Sequence, residues 1–246
     1  MKKNKKVLLK NTAMLYALQF SAYFFSFITT PYQTRVMGPS IVGTLGFAAA
    51  IMVYFQLFMD FGFILSATAD VSRHRDDKGY VCRLMTSVTL IKLAFCAVSF
   101  IVLTVMCFVW DTLREDKLLY MLYFAGTAVN TFIPDYLYRG LEKMSIITVR
   151  TVLIKLFFTV MIFVFLKEPG DYYVVPLLLL LGNLASVIGV YIHLKKKLDI
   201  WFCKVSFKEI FEHAKKSSEF FLSRIATTLY SSTTVSYTHL TLPTIA

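Results

Sequence analysis

The chain has 246 residues, of which 57% are hydrophobic, 16% are aromatic and 17% are charged, and its formal net charge is +11. Soluble domains carry about a quarter charged residues, so this composition and the mean hydropathy of +0.63 argue against a soluble globular protein. The basic residues stand between long apolar blocks. This arrangement argues against nucleic-acid binding and favours a membrane protein that is oriented by its positive charges.

Six apolar segments are each long enough to cross roughly 30 Å of hydrocarbon as a helix. They lie at residues 11–34, 41–68, 84–109, 118–138, 146–166 and 172–194. A seventh apolar stretch begins near Ser218. Helices satisfy their own backbone hydrogen bonds in lipid, and the segments lack the alternation of a membrane β-barrel. The predicted fold class is therefore all-α, a polytopic transmembrane helix bundle with six complete spans and the start of a seventh.

Lysine and arginine are distributed unevenly along this predicted topology. Most of the 26 lie in the tail before Lys10 and in the loops that follow the second, fourth and sixth spans. Since cytoplasmic loops carry an excess of these residues, the pattern predicts a cytoplasmic N-terminus. The first span is too long for a signal-peptide core, so we expect it to remain as a membrane anchor.

The break between the first two spans lies in the stretch "TRVMGPSIVGTLGFAAA", residues 34–50. The Gly38-Pro39 dipeptide is typical of a turn, and we predict a tight outer turn over residues 35–40. Gly43 and Gly46 give the second span small surfaces where another helix can pack closely.

Three sequence blocks, in this order, resemble one family of membrane proteins. They are "RVMGPSIVGTLGFAAA", "DFGFILSATADVSRHRDDK" and "PDYLYRGLEKMSIITVR". The blocks are similar to signatures of the polysaccharide-biosynthesis flippases, the O-antigen and capsule repeat-unit translocases of the multidrug/oligosaccharidyl-lipid/polysaccharide superfamily. Two positions depart from the family pattern, Val42 in place of a frequent tyrosine and Arg139 in place of a frequent glutamine.

The resemblance implies a fold of twelve or fourteen helices in two bundles around a central cavity, with residues 1–234 as the first bundle. It implies alternating-access translocation of an undecaprenyl-pyrophosphate-linked oligosaccharide across the cytoplasmic membrane of a bacterium. The expected partners are this lipid-linked oligosaccharide, membrane lipids, and the polymerase and glycosyltransferases of the pathway, with no nucleic acid. The resemblance implies a transporter that is not an enzyme and needs no cofactor or metal.

Basic residues in or beside the spans are the candidate substrate-binding residues. A charge in mid-bilayer costs about 2.5–3.5 kcal/mol, so it usually faces a cavity or a partner. Lys155 lies near the middle of the fifth span and Lys92 lies in the third, and both are candidates to attract pyrophosphate or acidic sugars. Snorkelling to the inner interface is the alternative. Arg224 in the seventh stretch and Arg35 at the outer turn complete the set.

Two acidic residues are candidates to bind a coupling ion. Asp60 lies toward the inner part of the second span, and Asp135 lies at the inner end of the fourth. Either could bind a proton or a sodium ion during transport. The alternative is that such a residue caps a helix or pairs with a loop arginine.

Two other functions remain as alternatives. A cation-coupled multidrug exporter of the same superfamily would handle amphipathic cations, which Lys92 and Lys155 would repel. A membrane glycosyltransferase or polymerase of the polysaccharide pathway should carry a large polar outer loop, and the predicted outer loops are short. The sequence contains no G-x-x-x-x-G-K-[ST], H-E-x-x-H or G-x-S-x-G motif, and its histidines and cysteines lack metal-ligand spacing.

Two segments near the C-terminus stand apart from the spans. Residues 195–216 mix lysines with aromatic side chains and predict an amphipathic segment on the anionic inner leaflet, with a solvated loop as the alternative. The last twelve residues, "VSYTHLTLPTIA", contain poor helix formers and a Leu-Pro pair, so we expect the seventh helix to stop before them. They resemble one reading frame of a sequencing-library adapter, which predicts that residues 235–246 are not native. Resequencing of the locus tests this expectation.

Overall fold

A computed structural model describes the backbone of residues 2–241 and the side chains of residues 9–227, and all regular elements in this part of the chain are helical. The all-α prediction is therefore confirmed. The α-helices are α1 (Lys2–Asp60), α2 (Phe63–Arg73), α3 (Lys78–Val109), α4 (Asp111–Glu115), α5 (Lys117–Thr131), α6 (Asp135–Gly140), α7 (Met144–Phe165), α8 (Val174–His193) and α9 (Phe207–Thr241). A 3-10 turn (Pro169–Tyr173) precedes α8, and a π-helical turn (Leu194–Leu198) follows it.

Four helical stretches of the described residues are long and apolar enough to cross a membrane. They are Leu9–Arg73, Lys78–Val109, Met144–Phe165 and Pro169–Leu198. The first stretch contains the first and second predicted spans together, and the other three correspond to the third, fifth and sixth. The structure therefore agrees with a polytopic helix bundle.

The predicted fourth span is divided in the structure. α5 ends at Thr131 and α6 begins only at Asp135, so the prediction of one helix over 118–138 is wrong. Pro134 stands at the start of α6, where its missing N–H removes no intrahelical hydrogen bond. The break leaves the carbonyl of Thr131, the last residue of α5, free to accept a hydrogen bond from a side chain, the ammonium group of Lys92.

α5 and α8 lie side by side and run in the same direction. At their starts, the Tyr173 hydroxyl donates to the Asp116 carboxylate over 2.6 Å, and near their ends the Tyr191 hydroxyl donates to the Phe132 carbonyl over 3.2 Å. α7 precedes α8 by a short connection and packs antiparallel to it, so that the start of α7 lies beside the end of α8.

α1 changes direction at Gly38, where φ is +81°. Its first arm runs parallel to α7, because the Thr148 hydroxyl donates to the Met14 carbonyl near the start of α7 and the Tyr32 hydroxyl donates to the Leu166 carbonyl just past its end. The second arm instead runs parallel to α5. Phe55 packs on Phe124, and at the ends of both helices the Lys92 ammonium donates to Asp60 and to the Thr131 carbonyl. The two arms are thus antiparallel. The predicted outer turn is contracted to a single residue with positive φ, a conformation that glycine adopts readily.

α9 packs where α2 and α3 meet, at the end of the bundle away from the bend at Gly38. The Ser66 and Ser217 hydroxyls lie 2.6 Å apart, and Lys216 pairs with the buried Asp70. The helix continues to Thr241, so the expectation that it stops before residue 235 is wrong. Residues 242–246 of the predicted foreign tail lie outside the described residues.

Candidate functional site: a polar cavity inside the bundle

A cavity of about 320 Å³ lies among α1, α5, α7 and α8, and we call it the polar cavity. Although these helices are predominantly apolar, the cavity wall carries two cations, three amides and several hydroxyl groups. The polar lining residues are Gln56, Tyr123, Thr127, Asn130, Arg150, Thr151, Lys155, Asn183 and Ser186. None of these lining residues is an aspartate or a glutamate, so the cavity suits an anionic or hydroxyl-rich ligand.

Lys155 is half-buried at the wall of this cavity. It also lines a smaller neighbouring cavity of about 170 Å³, which is bounded on the α1 side by Phe25, Ser26 and Thr29. Among the described residues, no hydrogen bond or ion pair engages the Lys155 ammonium group. Lys155 thus lines two cavities, and its role as a substrate-binding residue stays a prediction.

Arg150 is the second cation of the polar cavity, and it is held by Asp135. The guanidinium donates to both carboxylate oxygens, Nη1 over 2.7 Å and Nη2 over 3.1 Å. This bidentate geometry is the strong form of an arginine–carboxylate pair. Asp135, predicted as a coupling-ion candidate, thus has the pairing that was its alternative role. Sequence reasoning did not propose Arg150 as a cavity residue, although its position inside the predicted fifth span, residues 146–166, was the available signal.

Lys92 and Asp60 form a second ion pair, away from the polar cavity lining. Lys92 is 5% exposed, and its ammonium donates over 2.8 Å to Asp60 Oδ1 and over 2.8 Å to the carbonyl of Thr131, the last residue of α5. Its nitrogen also lies 6.0 Å from the centre of the Tyr136 ring. The structure therefore brings a predicted substrate cation and a predicted coupling acid together, at the break between α5 and α6.

The other two predicted cations lie outside the polar cavity. Arg35 is exposed on α1, three residues before the bend at Gly38, and Arg224 is exposed on α9. Neither contributes to the cavity wall.

Sequence reasoning did not find the Gln56 and Asn183 amides of the cavity or the Asp70–Lys216 pair. Asn183 donates to the Gly126 carbonyl over 2.9 Å, which ties α8 to α5. The signal available in the sequence was an isolated asparagine in the apolar run "VVPLLLLLGNLASVIGV". Nothing in the sequence linked Asp70 to a residue that follows it by 146 positions.

A bundle of long apolar helices with a polar cavity between them defines a multi-pass membrane protein of the helical class. Comparison with known families identifies it further. The family model described as "Polysaccharide biosynthesis protein" matches residues 8–237, and the chain belongs to this family.

Two curated relatives bear the name "Putative O-antigen transporter". The protein from Escherichia coli strain K12 is 27% identical over 236 residues, which cover 94% of this chain and 56% of the relative. The protein from Shigella dysenteriae is 26% identical over 227 residues, which cover 90% and 55%. The chain thus spans about half the length of the curated relatives it matches. No solved structure matches the chain.

Proposed function

We propose that this chain forms one helix bundle of a translocase that moves a lipid-linked oligosaccharide, carried on undecaprenyl pyrophosphate, from the inner to the outer leaflet of the bacterial cytoplasmic membrane. The observation that carries the proposal is the polar cavity inside an apolar bundle, with a lysine that has no partner among the described residues. Family membership and the names of the curated relatives support it. In this proposal the bundle has six spans and the start of a seventh, with a cytoplasmic N-terminus. The substrate binds between this bundle and a second one, and the two bundles open in turn to each side of the membrane.

Lys155 has the central role in this proposal. A pyrophosphate diester carries negative charge and many acceptor oxygens, and the cavity offers an unpaired ammonium group together with amide and hydroxyl donors. In a site shielded from water, such a charge-assisted hydrogen bond is stronger than one between neutral groups. The amide and hydroxyl groups of the cavity can form hydrogen bonds with the hydroxyl groups of the first sugar.

The coupling ion acts at Asp135 in this proposal. As long as Asp135 is ionised, it holds Arg150 in a neutral pair. Binding of a proton or a sodium ion to Asp135 would weaken that pair and release the guanidinium toward the cavity, so that ion binding and anion binding become linked. Asp60 could bind the coupling ion only if its contact with Lys92 opens. Arg35 and Arg224 would bind anionic groups of the substrate at the surface of the bundle.

The charge of the cavity discriminates against a multidrug exporter for amphipathic cations. Among its lining residues Arg150 is neutralised by Asp135, but Lys155 has no partner among the described residues and no carboxylate is present, so a cationic drug would meet repulsion there. A glycosyltransferase or polymerase would need a polar catalytic domain outside the membrane. The connections between α3 and α5 and between α7 and α8 are short helical turns instead. The role proposed for this chain is therefore transport and not catalysis.

The first test is surface-polymer export by cells that carry variants of the complete protein. Lys155→Ala should lower export about tenfold or more, because a hydrogen bond to a charged group is worth roughly 1.5–3 kcal/mol. Lys155→Arg should be milder because the positive charge remains. Lys208→Ala is the matched control, since that lysine side chain is 85% exposed on α9. Normal export by Lys155→Ala at normal protein level would contradict the proposal and favour snorkelling.

A further inference from the structure

An apolar groove of about 550 Å³ runs along the α7–α8 interface at the end where α7 begins. Its walls are mainly aliphatic, including Val149 and Leu153 of α7, which are 55% and 58% exposed. On α8, Gly189 leaves the groove wide, because a Cβ atom added there would meet nothing within 4 Å. We call this feature the α7–α8 groove.

The α7–α8 groove and the polar cavity share part of their walls. Arg150, Ile154 and Ser186 line both. An elongated molecule that crosses this shared wall would therefore have one part among polar donors and another among aliphatic side chains. Such a pair of adjoining sites matches an amphiphile with a charged head and a hydrocarbon chain.

Two polar atoms at the shared wall are buried and have no hydrogen-bond partner among the described residues. They are Nε of Arg150 and Oγ of Ser186, and Ser186 is 4% exposed. An unpaired buried donor carries a desolvation cost of about 1–3 kcal/mol, so such groups usually serve a ligand or a water molecule. Both atoms can donate to phosphate oxygens, and the unpaired ammonium of Lys155 lies in the same cavity wall.

We propose that the α7–α8 groove binds the polyprenyl chain of the lipid-linked substrate, with its pyrophosphate at Arg150, Ser186 and Lys155. This inference rests on the proposed function and specifies how the substrate lies. The chain leaves the polar cavity across Ile154 and passes along Val149 and Leu153 to the lipid. The occupant is an anionic polyprenyl lipid, because the unpaired donors beside the groove are complementary to a phosphate head. A bulk phospholipid or a helix of a second bundle are the rival occupants.

Photocrosslinking in the complete protein tests the placement. A benzophenone amino acid is introduced at Val149 or Leu153 in the groove, and at Val164 as the control, which is an exposed α7 position that lines neither cavity nor groove. The protein is placed in phosphatidylcholine nanodiscs with radiolabelled undecaprenyl pyrophosphate. The groove positions should be labelled several-fold more than Val164. Unlabelled undecaprenyl pyrophosphate should compete, and the same concentration of phosphatidylglycerol should not.

Filling the groove provides the second readout. Gly189→Leu should weaken binding of undecaprenyl pyrophosphate about tenfold, because the added side chain would displace roughly two methylene groups of the lipid from the groove. Leu181→Phe adds bulk on an exposed part of α8 that does not line the groove, and it should leave binding unchanged. Lys155→Ala should weaken binding through the head group and leave the crosslinking position the same.

The outcomes separate the two proposals. The groove assignment is wrong if crosslinking at Val149 and Leu153 equals that at Val164, if phosphatidylglycerol competes equally, or if the benzophenone captures another part of the protein. In each of these cases, a loss of binding in Lys155→Ala would still support the proposed function. Binding that is absent in the wild-type protein, or insensitive to Lys155→Ala, would overturn the proposed function and the groove assignment together.

Discussion

At the scale of single residues, Lys92 shows how a buried charge in an apolar bundle is stabilised. Its ammonium contacts a carboxylate of α1 and the terminal carbonyl of α5, so one side chain gains a counter-charge and satisfies a backbone carbonyl that the helix end leaves without a partner. The cost of burying the charge is offset by the pair and by this second hydrogen bond. We therefore propose a structural role for Lys92, whereas Lys155 has no hydrogen-bond or ion-pair partner among the described residues.

The Lys92–Asp60 pair leads to a stability prediction. Asp60→Asn leaves the Lys92 ammonium buried without its counter-charge, which costs about 3–5 kcal/mol for a fully buried pair. The loss should be smaller here, because 26% of the Asp60 side chain is exposed. Heating in detergent followed by size-exclusion chromatography should show a lower midpoint temperature for Asp60→Asn than for the double variant Asp60→Leu, Lys92→Met. Equal midpoints for the wild type and Asp60→Asn would contradict a structural role of the pair.

At the scale of helices, the approach of α9 depends on Gly62. This residue has φ of +75°, and a Cβ atom there would lie 2.7 Å from the Phe221 nitrogen and 2.8 Å from the Ser217 oxygen. Both clashes involve backbone atoms of α9, which cannot rotate away. The break between α1 and α2 therefore forms the surface on which α9 docks.

We expect Gly62→Ala to displace α9 and to destabilise the bundle, both because of the clash and because alanine is strained at positive φ. The matched control is Gly43→Ala, where nothing lies within 4 Å of the added carbon. This control should be neutral or slightly stabilising, since alanine exceeds glycine in helix propensity by about 1 kcal/mol. Hydrogen exchange over residues 207–227 measures the displacement. Equal protection in Gly62→Ala and the wild type would refute the docking role.

The same end of α9 should respond to pH through His213. Burial lowers the pKa of the His213 imidazole below its usual value of 6.5; Asp70 opposes this shift and Lys216 adds to it. The carboxylates of Glu209 and Glu212 also face the ring and oppose the shift. Since the docked state binds the proton more weakly than the undocked state, docking is favoured fully above about pH 6.5 and weakens as the pH falls through that value.

Hydrogen exchange of residues 207–216 should therefore be slower, after correction for the intrinsic pH dependence, at about pH 7.5 than at about pH 5.5. His213→Gln should remove most of this difference because the side chain no longer titrates. Protection that increases on acidification would show that the sign of the His213 effect is wrong.

At the scale of the whole molecule, the order of apolar segments predicted the helical class and most helix positions. Hydropathy detects long apolar runs, because the run itself carries the signal. It did not detect the break at Phe132–Pro134. Phe132 and Ile133 are themselves apolar, and proline is common at the start of a helix. The partners of Lys92 and Arg150 could not be predicted because they depend on which helices become neighbours, and single charges in the sequence do not encode that choice.

The predicted orientation can be tested by accessibility. Single cysteines at Asp171 and Lys197, introduced in a variant whose four native cysteines are replaced, should react differently with a membrane-impermeant maleimide. Asp171 lies in the turn before α8 and Lys197 in the turn after it, so the two sites should be on opposite faces of the membrane. Labelling of Asp171 alone in intact cells is expected. Labelling of the cysteine at position 197 in intact cells would contradict the predicted orientation.

The central claim is that the unpaired charge of Lys155 draws an anionic lipid-linked oligosaccharide into the polar cavity. Its most direct test is the initial rate of translocation of a fluorescent undecaprenyl-pyrophosphate oligosaccharide by the complete protein in proteoliposomes. We expect Lys155→Ala to lower this rate about tenfold or more and Lys155→Arg to retain most of it. Equal rates for the wild type and Lys155→Ala, at equal amounts of reconstituted protein, would contradict it.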